Sequence, residues 1–375
     1  MNETLSSIAL TQLPHLSLMD MKRLVERAGS ASILFDHRND LKSIIPDITT
    51  RAENAFHYAD EALKRAEAEM EFISRKKINV YCYIDKQYPA RLRECEDAPV
   101  VLYYLGNANL NKAKIIAVVG TRKCTQYGRD ICNAFISDLQ RYYKDIVIVS
   151  GLAYGTDINA HKAALTNGME TVGVLAHGLD RIYPASHRNT AIEMIQQGGL
   201  LTEYVSGTTP ERINFVRRNR IVAGMSDATI VVESASKGGS LITADIASSY
   251  HRDVFAFPGR VYDQYSEGCN NLIKSQKAVV IQNAEDLIDA MMWENPLKDQ
   301  KDKDSMHGQL HLFPDLSPEE QTIVNLLSKN NDLQINNIVI NTGLEYSNVS
   351  MHLFNMEMKG IVSVLGGARY HLIGR

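Results

Sequence analysis

Cysteine is scarce in this chain. Five are present (Cys82, Cys95, Cys124, Cys132 and Cys269), with no Cys-x-x-Cys pair, so neither a zinc framework nor a disulfide scaffold is expected. No apolar run is long enough to span a bilayer. The opening segment, MNETLSSIALTQLPHL, lacks the positive n-region and small-residue cleavage site of a signal peptide. A cytoplasmic protein with no membrane partner is therefore expected. Net charge of one sign is nearly absent too: the formal value is −4 over 375 residues. That argues against a uniformly basic nucleic-acid binder and leaves room for a local basic patch. Two phosphate-binding signatures are missing. No GxxxxGK[ST] occurs, which leaves an ATP-hydrolysing P-loop unsupported, and GTRKCTQYG stands where a dinucleotide-binding GxGxxG would fall. No internal repeat is visible. With 45% hydrophobic and 22% charged residues, what remains is an ordinary globular composition.

Four segments emerge. Residues 1–77 read as helical: apolar residues recur at helical spacing around Pro14 and Gly29, followed by the Ala- and Glu-rich TTRAENAFHYADEALKRAEAEMEFISRK. Residues 78–292 alternate short β-branched runs (IIAVVG, IVIVSG, TVGVLAHG, GLLTEY, ATIVVES, DVFAFPG, AVVIQ) with helix patterns. Strands at helix-sized intervals predict βαβ crossovers, hence an α/β fold with a parallel sheet covered on both faces. Residues 293–315 are charged and aperiodic, with linker composition. In residues 316–375, Ser317, Pro318 and Glu320 form a helix-start signal, helices end at Gly343 and Gly360, and two short strands flank Gly366-Gly367. Three helices and a hairpin make a winged-helix-like order.

Ligands of open parallel sheets bind beyond the carboxyl ends of the strands. The residues there are Gly120-Thr121-Arg122, Ser150-Gly151, Ala176-His177-Gly178, Glu203, and Lys237-Gly238-Gly239-Ser240 with Thr243. Glycines that admit close backbone approach, followed by helix N-termini, predict an anion cradle. Ser240 is expected to cap its helix. The segment FVRRNRIVAGMS adds Arg217, Arg218 and Arg220. Phosphate is the negative partner such a cluster fits, and Arg220 has a second reading as a structural arginine paired with Glu203 or Asp227. Asp157 and His161, four apart on one helix face, have no third ligand spaced to join them. Asp157 is expected to interact with the helix N-terminus and His161 to pack locally. No metal and no catalytic residue is assigned. Tyr127, Tyr154 and Tyr183 sit near the loops, as base-stacking rings or as covers of the core.

The motifs VVGTRKCTQYG, VSGLAYGTDINAH, GLDRIYP, FVRRNRIVAGMSDATIVVES, GGSLITADIA, DVFAFPG and GCNNLIKSQKAVVI resemble, in order and spacing, those of the DNA-processing protein A (DprA/Smf) family. The resemblance spans residues 78–292. It implies an extended Rossmann-like sheet with accessory terminal domains, and a non-enzymatic homodimer without a cofactor. It further implies that such a protein binds single-stranded DNA, protects incoming strands and loads the RecA recombinase during natural transformation. DNA-phosphate positions carried over are Gly120, Thr121, Arg122, Ser150, Gly151, Arg218, Asn219, Arg220, Lys237, Gly239, Ser240 and Thr243, to which the arginine cluster adds Arg217. The alternative is a nucleoside-monophosphate phosphoribohydrolase-like enzyme. That family's PGGxGTxxE loop is partly matched by Gly238-Gly239 and Asp245, while its second Gly-Thr pair and its Glu are absent. LPHLSLMDMKRLVERAGS resembles a helix-hairpin-helix in which His15 and Ser17 replace the hairpin glycines, which points to a packing or partner role rather than DNA contact. The third C-terminal helix is not basic, so protein contact or self-association is as well supported as groove binding.

Overall fold

The computed structural model describes residues 1–296, 316–365 and 369–373. Five helices lead: α1 (Glu3–Gln12), α2 (Leu18–Ala28), α3 (Ala31–Asp36), α4 (Thr50–Ala55) and α5 (Ala59–Lys76). Helix α1 stops short of Pro14. Helix α2 opens on a Ser17–Asp20 capping box and closes at Gly29, whose φ of 88° suits glycine. Their apolar faces, including Ile8, Leu24, Phe35 and Phe56, close over Val101 and Tyr103 of the sheet.

The sheet begins with β1 (Asn79–Cys82), α6 (Ala90–Arg93) and β2 (Val101–Gly106). The alternating part follows: β3 (Lys114–Val119), α7 (Gln126–Tyr142), β4 (Ile146–Ser150), α8 (Thr156–Thr166), β5 (Glu170–Val174), α9 (Arg188–Gln196), β6 (Gly198–Thr202) and α10 (Arg212–Gly224). It continues with β7 (Ala228–Val231), α11 (Gly239–Ser249), β8 (Asp253–Ala256), α12 (Glu267–Lys274), β9 (Val279–Val280) and α13 (Ala284–Ala290). Nine strands lie in the order β1-β2-β6-β5-β4-β3-β7-β8-β9. From β6 to β9 every pairing is parallel, whereas β2 runs antiparallel to both β1 and β6. The parallel sheet read from the sequence thus gains two antiparallel strands, which the N-terminal helices cover. One face buries Phe135, Ile136 and Leu287 against Ile116, Ile148 and Ile230; the other buries Ile221, Ala244 and Leu272 against Ile115, Val147 and Val231. Burial on both faces explains why these strands are continuously apolar.

Strand order reverses at β3: the chain moves outward through β4, β5 and β6, then returns to place β7 on the other side of β3. The loops after β3 and β7 diverge and leave a crevice at the carboxyl edge.

The C-terminal unit holds α14 (Pro318–Lys329), β10 (Leu333–Gln334), α15 (Ile335–Thr342), α16 (Tyr346–Met358), β11 (Val362–Leu365) and β12 (Arg369–Leu372). Ser317 and Glu320 form the capping box, and Gly343 and Gly360 take positive φ at helix ends. A third strand, β10, joins the expected two in the order β10-β12-β11. The Gly366-Gly367 turn and most of the linker lie outside the described residues. Among the described residues no helix is long and apolar enough to cross a membrane.

Glu69 of α5 ties the N-terminal helices to the loop after β6. It is 1% exposed and accepts hydrogen bonds from Ser206 N (2.9 Å), Ser206 Oγ (2.6 Å) and Arg65 Nη1 (3.0 Å). Glu69→Ala strands these donors and is expected to cost about 1–3 kcal/mol in urea unfolding. An unchanged midpoint would show that this tie contributes nothing.

Candidate nucleic-acid interface

The crevice at the β3/β7 switch is a groove of about 870 Å3. Three loops interlock to build it. Thr121 N donates to Glu233 O (2.8 Å), and Thr156 N donates to Thr121 O (3.1 Å). Gly155 adopts φ 77°, and a Cβ there would stand 2.2 Å from Thr121 O, so the loop closes only on glycine. Below them the Glu233 carboxylate accepts from Thr125 N (2.9 Å) and Thr125 Oγ1 (2.6 Å), anchoring the start of α7.

Ser240 does not cap α11. Gly238 occupies the N-cap position in extended conformation, and the Ser240 hydroxyl donates to Ser234 Oγ (2.9 Å). The first-turn N–H groups of α11 thus keep no side-chain cap, and the space beside Gly239 is open. Uncapped N–H groups and the positive helix end suit an anion.

Five cations line the groove (Arg122, Lys123, Arg212, Arg218, Lys237) against two carboxylates, Asp157 and Asp245. Asp245 is paired with Lys277 Nζ at 2.9 Å. Arg122, Lys123, Arg212 and Lys237 are exposed and make no ion pair among the described residues. Arg218 is the buried floor, 3% exposed. Its Nη1 donates to Val174 O, and its guanidinium fills the space that a Cβ on Gly151 would need. Burial lowers the Arg218 pKa and raises that of Asp157, which Arg218 partly offsets. The Arg122 guanidinium lies 5.0 Å from the centroid of the Phe215 ring, a cation–π contact beside the groove.

The model of DNA recombination-mediator protein A matches residues 79–292, the whole nine-stranded sheet and its helices. The chain belongs to this family. The chain is 39% identical to the DNA processing protein DprA of Streptococcus pneumoniae over 213 residues, 57% of this chain and 74% of the relative. It is 35% identical to the Smf protein of Synechocystis over 318 residues, 76% and 78% of the two chains. The X-ray structure of the pneumococcal protein covers 77% of this chain and 98% of its own, with TM-score 0.65 and 33% identity. A structure of Helicobacter pylori DNA processing protein A, concerned with that protein's single-stranded DNA binding mode, covers 58% and 96% with TM-score 0.52 and 29% identity.

Ten of the thirteen positions assigned to DNA phosphate line the groove of this family member: Gly120, Thr121, Arg122, Gly151, Arg218, Asn219, Lys237, Gly239, Ser240 and Thr243. Three do not. Ser150 turns its hydroxyl inward and donates to Val118 O (2.6 Å). Arg220, 4% exposed, pairs with Glu203 and lies 3.9 Å from Asp97, so its place is structural; Asp227, the other partner considered, pairs with Arg91 at 2.6 Å. Arg217 is exposed on another side of α10 and lines a different cavity. Tyr127, Tyr154 and Tyr183 stand outside the groove, engaged with Pro258 O, His187 and Phe215. Its aromatic rings are Phe215 and Tyr265, which the sequence reading passed over, as it did Arg212. The signal for two of them was helical spacing: positions 212, 215 and 219 share a face with 222.

His161 packs as expected, with Nδ1 2.7 Å from Thr171 Oγ1. Burial, with Arg218 and His187 nearby, pushes its pKa down to about 3. Among the described residues no cluster of three or more His, Cys, Asp or Glu could hold a metal.

Two predictions concern these buried groups. Arg220→Ala leaves Glu203 buried without its partner and is expected to cost about 3–5 kcal/mol in denaturant unfolding. Arg122→Ala, at an exposed site whose one contact of note is the Phe215 ring, is expected to stay within about 1 kcal/mol. Equal losses would contradict this division. For His161, the unfolded chain binds a proton near pH 6.5 and the folded chain only near pH 3. Stability is thus intact above about pH 6.5 and falls as pH drops below it. His161→Gln is expected to flatten stability against pH between about 6 and 4; an unaltered slope would assign the acid response to other groups.

Proposed function

We propose that the chain binds single-stranded DNA at the switch-point groove and acts as a recombination mediator, protecting incoming strands and delivering them to RecA during natural transformation, without breaking covalent bonds. The observation that carries this is the charge of the groove. Five lining cations gather on a chain of net charge −4, four of them (Arg122, Lys123, Arg212 and Lys237) exposed and without an ion pair among the described residues, beside an uncapped helix N-terminus. Donors that follow a phosphate backbone, with Phe215 and Tyr265 as stacking surfaces, suit a single strand held without base readout. A second copy of the chain fits the far edge of the sheet, where short β9 leaves Val279 and Val280 exposed on an edge that is unpaired among the described residues. The phosphoribohydrolase alternative is less well supported, because the second Gly-Thr pair and the Glu of that family's loop are absent and Asp245, in place of the Glu, has a shorter reach.

Fluorescence anisotropy with labelled single- and double-stranded oligonucleotides across a salt series tests the proposal. Tight binding to single strands is expected. Arg122→Ala and Lys237→Ala should each weaken it and make log K against log salt shallower by about 0.7 per lost phosphate contact. Faster RecA nucleation on strands coated with single-strand-binding protein is the readout for delivery. Affinity for single strands that neither substitution alters would move the site elsewhere, and release of free base from a nucleoside monophosphate would favour the enzyme.

A further inference from the structure

Arg217 belongs to the arginine cluster yet stands outside the groove that receives its neighbours. On a helix with 3.6 residues per turn it points about 200° away from Phe215. It borders a second cavity of about 590 Å3, between the N-terminal helices and the sheet. That volume lies within the range of small-ligand pockets. Leu16 and Met19 form one wall, from the turn and first residues of the helix-hairpin-helix-like segment; Pro99, Tyr204 and Thr208 form the other. The N-terminal segment therefore presents an apolar wall here rather than glycine N–H groups.

The two cavities share one helix. Ile213 and Val216, 51% and 39% exposed, occupy the face of α10 between Phe215 and Arg217. This uncovered apolar ridge leads from groove to cavity. Arg217 is exposed and makes no close ion pair among the described residues, although it is near enough to Glu203 to offset part of the rise that burial gives that carboxyl's pKa; its guanidinium can meet a phosphate at the rim. Farther in are two carboxylates, Asp97 and Glu203. Glu203 is tied to Arg220, and Asp97 accepts from the Tyr250 hydroxyl. Arg220 beside both offsets their charge, and the half-buried Asp97 remains an acceptor that suits a neutral base carrying an amino group.

We infer that this cavity is a second strand subsite: the single strand leaves the groove, crosses the Val216–Ile213 ridge, and seats an amino-bearing nucleobase between the N-terminal helices and the sheet, with a neighbouring phosphate on Arg217. The inference rests on the proposed groove, so the test must separate the two.

Oligonucleotides carrying 5-iododeoxycytidine at successive positions, bound to the full chain and irradiated, report each neighbouring residue through cross-links mapped by mass spectrometry. Some positions are expected to link to Phe215 or Tyr265, and a position farther along the same strand to Met19 or Tyr204. Links to Phe215 or Tyr265 with none to residues 11–21 or Tyr204 would overturn the subsite and leave the groove standing. Links to neither would overturn both, and links only to the cavity would remove the groove and with it the inference of a strand that continues from groove to cavity. Arg217→Ala supplies a second readout. For strands long enough to reach the cavity, the salt slope should become shallower by about 0.7. The shortest strand that fills the groove should show no change. Equal change at both lengths would overturn the inference.

Discussion

Two buried guanidiniums on one helix constrain this structure more than any other feature. A buried charge is tolerated only when it is paired and hydrogen-bonded. Arg218 meets that condition through Val174 O and the nearby Asp157, in space left free by Gly151. Arg220 meets it in part: Nη2 pairs with Glu203 and Nε lies 3.9 Å from Asp97, while Nε and Nη1 have no hydrogen-bond partner among the described residues. The demands lie on different sides of α10 and leave the helix one rotation against the sheet. That rotation turns Arg212, Phe215 and Asn219 toward the switch-point groove and Arg217 toward the cavity under the N-terminal helices.

The local charge follows from how the remaining ionic groups are distributed. Several acidic residues near α10 have partners of their own: Asp227 on Arg91, Glu203 on Arg220, Asp245 on Lys277. The cations at the strand ends make no such pairs among the described residues, and α11 adds its uncapped N-terminus. A mildly acidic chain can therefore present a positive groove, because potential at a surface is set by nearby unpaired charges and is screened within about 10 Å at 0.1 M salt.

Much of this was legible in the residues. The Ser317–Glu320 capping box and the helix stops at Gly343 and Gly360 are local chemistry and appear where the sequence places them. The seven apolar runs from IIAVVG to AVVIQ form β3 to β9, since continuous burial leaves an unmistakable pattern. The antiparallel pair β1 and β2 was not read, because antiparallel pairing depends on which strand lies alongside rather than on composition. The cap assigned to Ser240 fell to Gly238, two residues earlier, because the preference for serine at an N-cap does not fix where the backbone enters the helix. Glu233 went unnoticed because its role exists only once the loops after β3 and β7 are side by side.

By itself the sequence determined the alternation of strand and helix, the glycine loops at the carboxyl ends of strands, and the presence of an arginine cluster beside them. These are properties of residues close in the chain, governed by periodicity and backbone sterics. Only the tertiary structure decided what each arginine does. Arg217, Arg218 and Arg220 are near neighbours in sequence, yet one is an exposed charge at a cavity rim, one a groove floor and one half of a buried ion pair. The physical reason is that a helix turns about 100° per residue, so their surroundings are set by packing across the sheet and not by adjacency in the chain.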